Sequence, residues 1–238
     1  MSVLRLALAQ VTSTMDRLAN AIRVAAGQGA GLVSYPELST TSYFCVHRAA
    51  DGAFERVPDG PTTREMCALA RELGVVLVVP LAERDSSGGR YNSAVVIDSD
   101  GTVAGTCRKR HLPHGPGSWE HDYFQPGDGP AVFATAVGRL GVAICWDRYF
   151  PETWQALARD RAELTVVPIA STLDPGKPAG HARPASGRVP ARHVRRDRQP
   201  GRRRILRWVL CGRTVRQRAR RIRWRQEELI LRDLEQAC

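Results

Sequence analysis

Three residues that could together form a catalytic set each follow an apolar stretch of the chain. Glu37 follows residues 32–36, Lys109 follows 103–108 and Cys145 follows 140–144. A thiol becomes a useful nucleophile only as its thiolate, which needs a base or a nearby cation. A carboxylate can take the thiol proton, and an ammonium group can stabilise a thiolate and a substrate oxyanion. The three residue types therefore allow attack by Cys145 on a carbonyl carbon.

The same residues also have purely structural interpretations. A cysteine at the end of an apolar strand is usually a small buried hydrophobe. A glutamate at such a place is usually solvated, and Lys109, which lies between two arginines, could be ordinary surface charge. Spacing alone leaves both interpretations open, because lone cysteine patterns transfer poorly between families.

The elements that must position these residues follow from the hydrophobic periodicity. Short apolar runs predict strands at residues 3–9, 32–35, 75–79, 93–97, 103–107, 132–136, 140–145 and 164–169. Apolar residues at helical spacing predict helices over 15–28, 62–73 and 151–161, the second capped by Thr62 or Thr63. Turn residues at 98–101 and 137–139 predict two hairpins. We therefore expect an α/β or α+β fold in which helices cover a strand-rich core.

Longer motifs surround the candidate residues. The segments YPEL at 35–38, CRKRHLP at 107–113 and GVAICWD at 141–147 resemble the three characteristic segments of the carbon–nitrogen hydrolase (nitrilase) superfamily, in its order and at about its spacing. Within it, the segments at 42–45, 115–117, 123–128 and 150–152 are similar to those of the N-carbamoylputrescine amidohydrolases. The resemblance runs from residue 4 to about residue 175.

This resemblance implies a role for each matching residue. Glu37 would be the general base, Lys109 the oxyanion stabiliser and Cys145 the nucleophile. Glu120 matches a second glutamate of the family, which positions the substrate and the lysine. The backbone N–H of Trp146 would complete the oxyanion site, and no metal or organic cofactor would be required.

The resemblance also implies a substrate and an architecture. The expected reaction is hydrolysis of an N-carbamoylputrescine-like ureido compound, with release of ammonia and CO₂, as in polyamine biosynthesis. N-carbamoyl amino acids, aliphatic amides and nitriles are the alternative substrates. Tyr43 and Trp146 are expected to contact the substrate, whereas His114 stands where a similar enzyme more often carries an acidic residue. The implied fold is an α-β-β-α sandwich that pairs into homo-oligomers.

The cysteines give no sign of a metal site. The chain has six, at positions 45, 67, 107, 145, 211 and 238, without C-x-x-C spacing and without a zinc-like arrangement with histidine. We therefore expect free thiols, as is usual in the cytosol. The longest apolar run, 75–82, is too short to span a bilayer, and the first residues do not resemble a signal peptide. A cytoplasmic protein without membrane contact is expected.

The net charge of the 238-residue chain, +11, invites a nucleic-acid interpretation. Its distribution restricts that interpretation. Residues 1–174 contain 16 basic and 19 acidic residues, a net charge of −3, whereas residues 175–238 contain 19 and 5, a net charge of +14. Any binding of nucleic acid is therefore expected only through the last quarter of the chain.

The resemblance stops abruptly where this basic segment begins. Residues 176–225 contain 17 arginines, one lysine and one acidic residue, a composition that suggests GC-rich coding sequence read out of frame. A genuine arginine-rich arm that binds polyanions and another rearrangement are the alternatives. Residues 226–234 again resemble the closing strand of the family.

We accordingly predict three parts. Residues 1–175 form the hydrolase domain, residues 176–225 are disordered or out of frame, and residues 226–238 are a remnant of the closing strand. The sandwich is then expected to be incomplete after residue 175, and an inactive homologue is the alternative to an active enzyme.

Overall fold

The computed structural model describes residues 3–11, 14–50, 52–172, 204–212, 219–224 and 227–235. Its first elements are β1 (Val3–Gln10), α1 (Met15–Gly27), β2 (Leu32–Ser34), α2 (Pro61–Leu73), β3 (Val76–Arg84), β4 (Arg90–Ile97) and β5 (Val103–Arg108). There follow β6 (His114–Gly115), β7 (Ser118–Trp119), β8 (Ala131–Thr135), β9 (Gly138–Val142), α3 (Pro151–Arg159) and β10 (Leu164–Thr172). The last strands are β11 (Arg204–Gly212), β12 (Ala219–Trp224) and β13 (Glu227–Glu235).

These strands form two main sheets. The larger has seven strands in the order β12-β13-β1-β2-β3-β4-β5, and the smaller has four in the order β11-β10-β9-β8. The pairs β1–β2, β2–β3 and β9–β10 are parallel, and the other pairs are antiparallel. The hairpins predicted at residues 98–101 and 137–139 are the β4–β5 and β8–β9 pairs.

The alternation of side chains along the strands divides the apolar residues into two layers. One cluster lies between the two sheets and includes Leu6, Leu8, Leu32, Val76, Val78, Ala94, Val96, Leu140, Val142 and Val166. The other lies between the larger sheet and the first two helices and includes Ala7, Ala9, Val33, Leu77, Val79, Val95, Leu18, Ile22, Met66 and Leu69. The larger sheet is therefore buried on both faces.

The third helix covers the outer face of the smaller sheet, at a glycine. A Cβ atom on Gly141 of β9 would lie 3.0 Å from Leu157 Cδ2 of α3, 2.9 Å from Ala162 Cβ and 2.8 Å from Thr165 Oγ1. The absence of a side chain at this position thus allows the helix to approach the strand. With α1 and α2 on the other side, the layers are α-β-β-α, and the expected α/β layered fold is confirmed.

The helix boundaries differ from the prediction at one cap. The prediction that Thr62 or Thr63 caps α2 was wrong, because the helix begins at Pro61 with Gly60 as its N-cap. Proline suits the first helical position, since its φ is already helical and no N–H is left unpaired there. The N–H of Thr62 donates to Glu55 Oε2 at 3.2 Å instead.

The last strand, β13, lies inside the larger sheet, between β1 and the edge strand β12. It lies antiparallel to β1, and Arg5 of β1 forms a bidentate ion pair with Asp233 of β13 at 2.6 and 3.0 Å. Residues 173–203, 213–218 and 225–226 lie outside the described residues. Within the segment 176–225, predicted to be disordered or out of frame, residues 204–212 and 219–224 are the strands β11 and β12. The frameshift suggested for this segment stays a prediction. Within the described residues, no helix has the length and apolarity required to cross a membrane.

Replacing Gly141 by alanine is expected to destabilise the protein. The new methyl group would meet atoms of three residues at 2.8 to 3.0 Å, so the free energy of unfolding should fall by about 1–3 kcal/mol. The matched control is Gly27→Ala, because a Cβ there has no atom within 4 Å. Alanine favours the helix, and the control should leave the free energy unchanged or raise it by up to about 1 kcal/mol. Denaturant titration of both variants measures the difference, and equal effects would contradict the packing described for α3.

Candidate active site

The parallel strands β2 and β3 of the larger sheet position Glu37. Beyond the end of β2 the chain stays attached to β3, because Tyr35 N–H donates to Val78 O at 3.1 Å and Ser39 N–H to Pro80 O at 3.0 Å. The Glu37 side chain is 2% exposed, and its Oε2 accepts the N–H of Ala170 at 2.9 Å. Glu37 thus reaches across from the larger sheet to β10 of the smaller one.

Lys109 comes from an edge strand of the same sheet, whereas Glu37 follows its central strand, β2. It follows β5 directly, and its backbone N–H donates to Asn92 O at 2.8 Å. Its ammonium group is completely buried and donates to Glu37 Oε1 at 2.7 Å and to the two Glu120 oxygens at 2.7 and 2.6 Å. Glu120, also completely buried, begins a short 3₁₀ helix, Glu120–Asp122. The two glutamates therefore meet at one lysine.

The charges of this cluster depend on one another. Burial by itself would lower the pKa of Lys109, but Glu120 and Glu37 outweigh it and raise that pKa above its ordinary value. Burial also raises the pKa of Glu120, and the negative charge of Glu37 adds to the effect, whereas Lys109 opposes it. Lys109 is thus held as a cation between two acidic groups, and the cluster has an excess of negative charge when both are ionised.

Two neutral side chains complete the cluster. Asn92 of β4 donates from Nδ2 to Glu37 Oε1 at 2.9 Å and to Glu120 Oε2 at 3.1 Å. The Tyr43 hydroxyl donates to Glu120 Oε1 at 2.6 Å and lies 2.6 Å from Ser118 Oγ. Tyr43 was expected at the substrate; in the structure its hydroxyl contacts the second glutamate. Asn92 was not predicted, although an amide directly before the apolar part of a strand could have indicated it.

Cys145 lies on a tight turn after β9. The strand was expected to extend to Cys145 but ends at Val142, and Cys145 begins a 3₁₀ helix, Cys145–Tyr149. The φ angle of Cys145 is +45°, in the left-handed region that costs a non-glycine residue about 1–2 kcal/mol. Its Sγ lies 3.9 Å from Ala170 O, so Cys145 and Glu37 both contact the same residue of β10.

Neighbouring polar contacts hold this turn in place. Asp147 Oδ2 accepts the N–H of Ile144 at 3.1 Å, and Arg148 Nη1 donates to Cys145 O at 2.5 Å. Asp147 Oδ1 accepts the backbone N–H of His111 at 2.9 Å and lies 2.9 Å from its ring Nδ1. Because His111 is two residues beyond Lys109, the completely buried Asp147 connects the cysteine turn to the lysine segment. Sequence reasoning did not single out these three supporting residues.

The environment of Cys145 determines its protonation. Burial raises the pKa of the thiol to about 12, and the charge of Glu37 adds to this, whereas Lys109 and Arg148 oppose it. At neutral pH Cys145 is therefore a thiol, so a base must take its proton as it attacks. Glu37 is a carboxylate at the same β10 residue, which makes that transfer chemically reasonable.

The remaining candidates lie around this centre. Trp146, next to the cysteine, is 41% exposed and meets Tyr149 edge to face at 5.0 Å. Cys45 is completely buried, and burial, followed by Glu120 and Glu37, raises the pKa of its thiol, which keeps it unreactive. The described thiols, at 45, 67, 107 and 145, are free. Within the described part of the chain, no three His, Cys, Asp or Glu side chains are arranged to hold a metal ion.

Comparison with known proteins now adds to this geometry. The family model described as carbon-nitrogen hydrolase matches residues 5–191. The chain belongs to this family. It is 42% identical over 167 residues to an N-carbamoylputrescine amidase of Solanum lycopersicum, covering 68% of this chain and 54% of the relative. It is 35% identical over 167 residues to a citrullinase of Francisella tularensis, covering 69% and 58%. The chain thus spans little more than half the length of these relatives.

Solved structures of the family are similar as well. A carbon-nitrogen hydrolase from Helicobacter pylori G27 superposes with a TM-score of 0.64 at 30% identity, over 75% of this chain and 64% of the other. A glutamate-to-glutamine variant of an amidase from Nesterenkonia sp. AN1 superposes with a TM-score of 0.61 at 27% identity, over 72% and 66%. In that amidase the active-site cysteine carries the acetamide moiety of fluoroacetamide.

The raised pKa of Cys145 has a consequence for stability at alkaline pH. The unfolded chain loses this proton near pH 8.5, whereas the folded protein keeps it to about pH 12. The contribution of the thiol to stability is therefore complete below about pH 8 and is lost as the pH rises above that, at about 1.4 kcal/mol per pH unit. We expect the free energy of unfolding to fall more steeply between about pH 9 and 10.5 in the wild type than in Cys145→Ala.

Denaturant titrations in the presence of a reductant measure this difference. Between pH 6 and 8 the two proteins should differ by a constant amount, which serves as the internal control. Parallel curves up to pH 10.5 would contradict the protonation assigned to Cys145.

Proposed function

We propose that the protein hydrolyses the carbon–nitrogen bond of a ureido group, with Cys145 as nucleophile, Glu37 as general base and Lys109 as oxyanion stabiliser. The observation that carries this proposal is the buried cluster of Lys109, Glu37 and Glu120, which meets the cysteine turn at Ala170. The name of the Solanum lycopersicum relative supports an N-carbamoylputrescine-like substrate.

The first half of the reaction transfers the acyl group to sulfur. Cys145 Sγ attacks the ureido carbon while its proton passes to Glu37, and the carbonyl oxygen becomes negatively charged. The Lys109 ammonium and the backbone N–H of Trp146 stabilise that oxygen. Collapse of the tetrahedral intermediate breaks the bond to the terminal nitrogen, which leaves as ammonia with the proton from Glu37. A thioester of an N-substituted carbamic acid remains on Cys145.

The second half of the reaction releases this group. A water molecule gives a proton to Glu37 and attacks the thioester carbon, and the departing sulfur regains that proton as the bond breaks. The N-substituted carbamic acid then loses CO₂ and yields the free amine. Glu120 holds Lys109 throughout, because both of its oxygens accept hydrogen bonds from the ammonium group.

One contact favours a second class of substrate, the N-carbamoyl amino acids. The Arg148 Nη1 lies 3.6 Å from Cys145 Sγ, which places a positive charge beside the reacting group. Such a charge favours a substrate with a carboxylate over one with an ammonium tail. His114, at the position where a similar enzyme more often carries an acidic residue, lies 3.0 Å from Asp122 Oδ1.

The basic segment supports a different hypothesis, binding of nucleic acid, and its composition supports an inactive, frameshifted homologue. A polyanion-binding protein should bind RNA with a steep dependence on salt and with no effect of Cys145→Ala. An inactive remnant should show neither turnover nor a near-UV CD signal of fixed aromatic packing.

Removal of the nucleophile or the base should separate an enzyme from these alternatives. We expect Cys145→Ala to release ammonia from N-carbamoylputrescine only at the background rate, and Glu37→Gln to lower kcat by about 10²–10⁴-fold. The matched control is Cys67→Ala, since Cys67 is a half-buried thiol on α2 away from the cluster, and it should keep wild-type turnover. A coupled ammonia assay measures all three variants. Full turnover by Cys145→Ala would refute the mechanism.

The choice between substrates is tested at Arg148. Citrulline carries a carboxylate that N-carbamoylputrescine lacks. If the Arg148 guanidinium pairs with that carboxylate, Arg148→Gln removes a charge-assisted hydrogen bond from citrulline alone. The variant should then lower kcat/KM about tenfold more for citrulline than for N-carbamoylputrescine. The ratio of the two substrates is the relevant measure, because the loss of the contact to Cys145 O affects both equally. An unchanged ratio would rule out the carboxylate contact.

A further inference from the structure

Asn92 is a buried polar residue that precedes apolar residues on one face of β4. It is completely buried in β4, and the next residues on the same face, Ala94 and Val96, belong to the apolar cluster between the sheets. A buried amide is unfavourable unless its hydrogen bonds are made. The contacts of this side chain are therefore informative about why it is there.

All three charged members of the cluster contact Asn92. Its Nδ2 donates to Glu37 Oε1 at 2.9 Å and to Glu120 Oε2 at 3.1 Å, and its backbone oxygen accepts the N–H of Lys109 at 2.8 Å. The amide has two N–H groups, one for each carboxylate. One residue thus binds both carboxylates through its side chain and the lysine segment through its backbone.

The charge balance of the cluster explains the need for these donors. Two carboxylates face one ammonium group in a site from which solvent is excluded, and hydrogen bonds to the ionised form of an acid favour ionisation. Among the described residues, the other titratable or charged groups that act on this cluster are Tyr43, Cys45, Cys145 and Arg148. Of these, Arg148 alone carries a positive charge, and it lies at the cysteine. The amide therefore adds a neutral donor to each carboxylate, beside those that Lys109, Tyr43 and the N–H of Ala170 supply.

The oxygen of the Asn92 amide does not contribute to stability. Asn92 Oδ1 is buried and has no hydrogen-bond partner among the described residues. A buried acceptor without a partner is destabilising, and an apolar side chain of the same shape would avoid that cost. The benefit of the amide therefore lies at Nδ2, on the two carboxylates.

We propose that Asn92 is a positioning residue that keeps Glu37 and Glu120 apart, ionised and directed at Lys109, so that Glu37 can accept the proton of Cys145. This inference rests on the proposed function, since it assumes that Glu37 is the base. Asn92 acts through the two carboxylates, and it has no part in bond formation itself.

Two substitutions test this role. Asn92→Asp keeps the shape but replaces the amide donor by a third carboxylate, and Asn92→Ala removes the donor without adding charge. We expect both to lower kcat at neutral pH by about 10²-fold or more with KM changed less than about threefold. We also expect the acid limb of the pH–kcat profile to move to higher pH by about one unit or more, because the ionised carboxylates lose their donors.

The matched control is a substitution of Ser93, the next residue of the same strand. Ser93 is also completely buried and donates to Glu83 Oε2 at 2.6 Å, but it points to the opposite face of β4. Ser93→Ala therefore removes a buried hydrogen bond without touching the cluster, and it should leave kcat and the acid limb unchanged. If it shifts the acid limb as the Asn92 variants do, the effect is one of general stability and the proposal fails.

Alkylation of Cys145 provides a readout that needs no substrate. Iodoacetamide modification of Cys145, followed by mass spectrometry across pH 5–9, should show the same upward shift of the acid limb in Asn92→Ala. If Asn92→Asp does not fold, as judged by near-UV CD, Asn92→Ala decides the question. A wild-type acid limb in a folded Asn92→Ala protein would overturn the proposal.

The two readouts separate this inference from the proposed function. Turnover of a ureido substrate with an unshifted acid limb would refute the role of Asn92 and leave the function intact. Suppose instead that the wild type turns over none of the substrates, while the acid limb of Cys145 alkylation still moves to higher pH in Asn92→Ala. That result would refute the proposed function and support the role of Asn92.

Discussion

The buried ammonium group of Lys109 between two glutamates is the interaction on which the rest of the site depends. Without it, Glu37 and Glu120 would be two like charges shielded from solvent at a short distance, which is strongly unfavourable. With it, a carboxylate can remain ionised next to a thiol whose own pKa burial has raised. One buried cation thus offsets the charge of both glutamates at once.

The sandwich brings together residues that no local structure could bring together. Glu37 follows a parallel strand, Lys109 follows the antiparallel edge strand, and Cys145 belongs to a turn of the other sheet. The two sheets meet through the apolar faces of their strands, so the packing that stabilises the fold also determines the spacing of the site. Ala170 illustrates this, because its N–H binds Glu37 and its oxygen lies near the cysteine sulfur.

Sequence reasoning succeeded where the signal was local. Periodicity predicted the strands and helices of residues 3–172 except the two-residue strands β6 and β7. It was wrong at the start of α2, where proline and a preceding glycine replaced the threonine cap. It also extended β9 too far, because an apolar run does not reveal that Asp147 turns the chain at Cys145. Asn92 was missed because its partners come from distant segments.

By itself, the sequence determined the residue types, the family and the order of the elements. These depend on motifs and on periodicity along the chain, which need no partner in space. Only the tertiary structure decided that Asn92 and Tyr43 contact the acidic pair and that Asp147 connects the cysteine turn to the lysine segment. Such contacts arise between residues as many as 77 positions apart, whose meeting depends on how the sheets pack. The protonation of Cys145 was likewise decided by the tertiary structure. Its pKa depends on burial and on charges that only the assembled sandwich brings near the thiol.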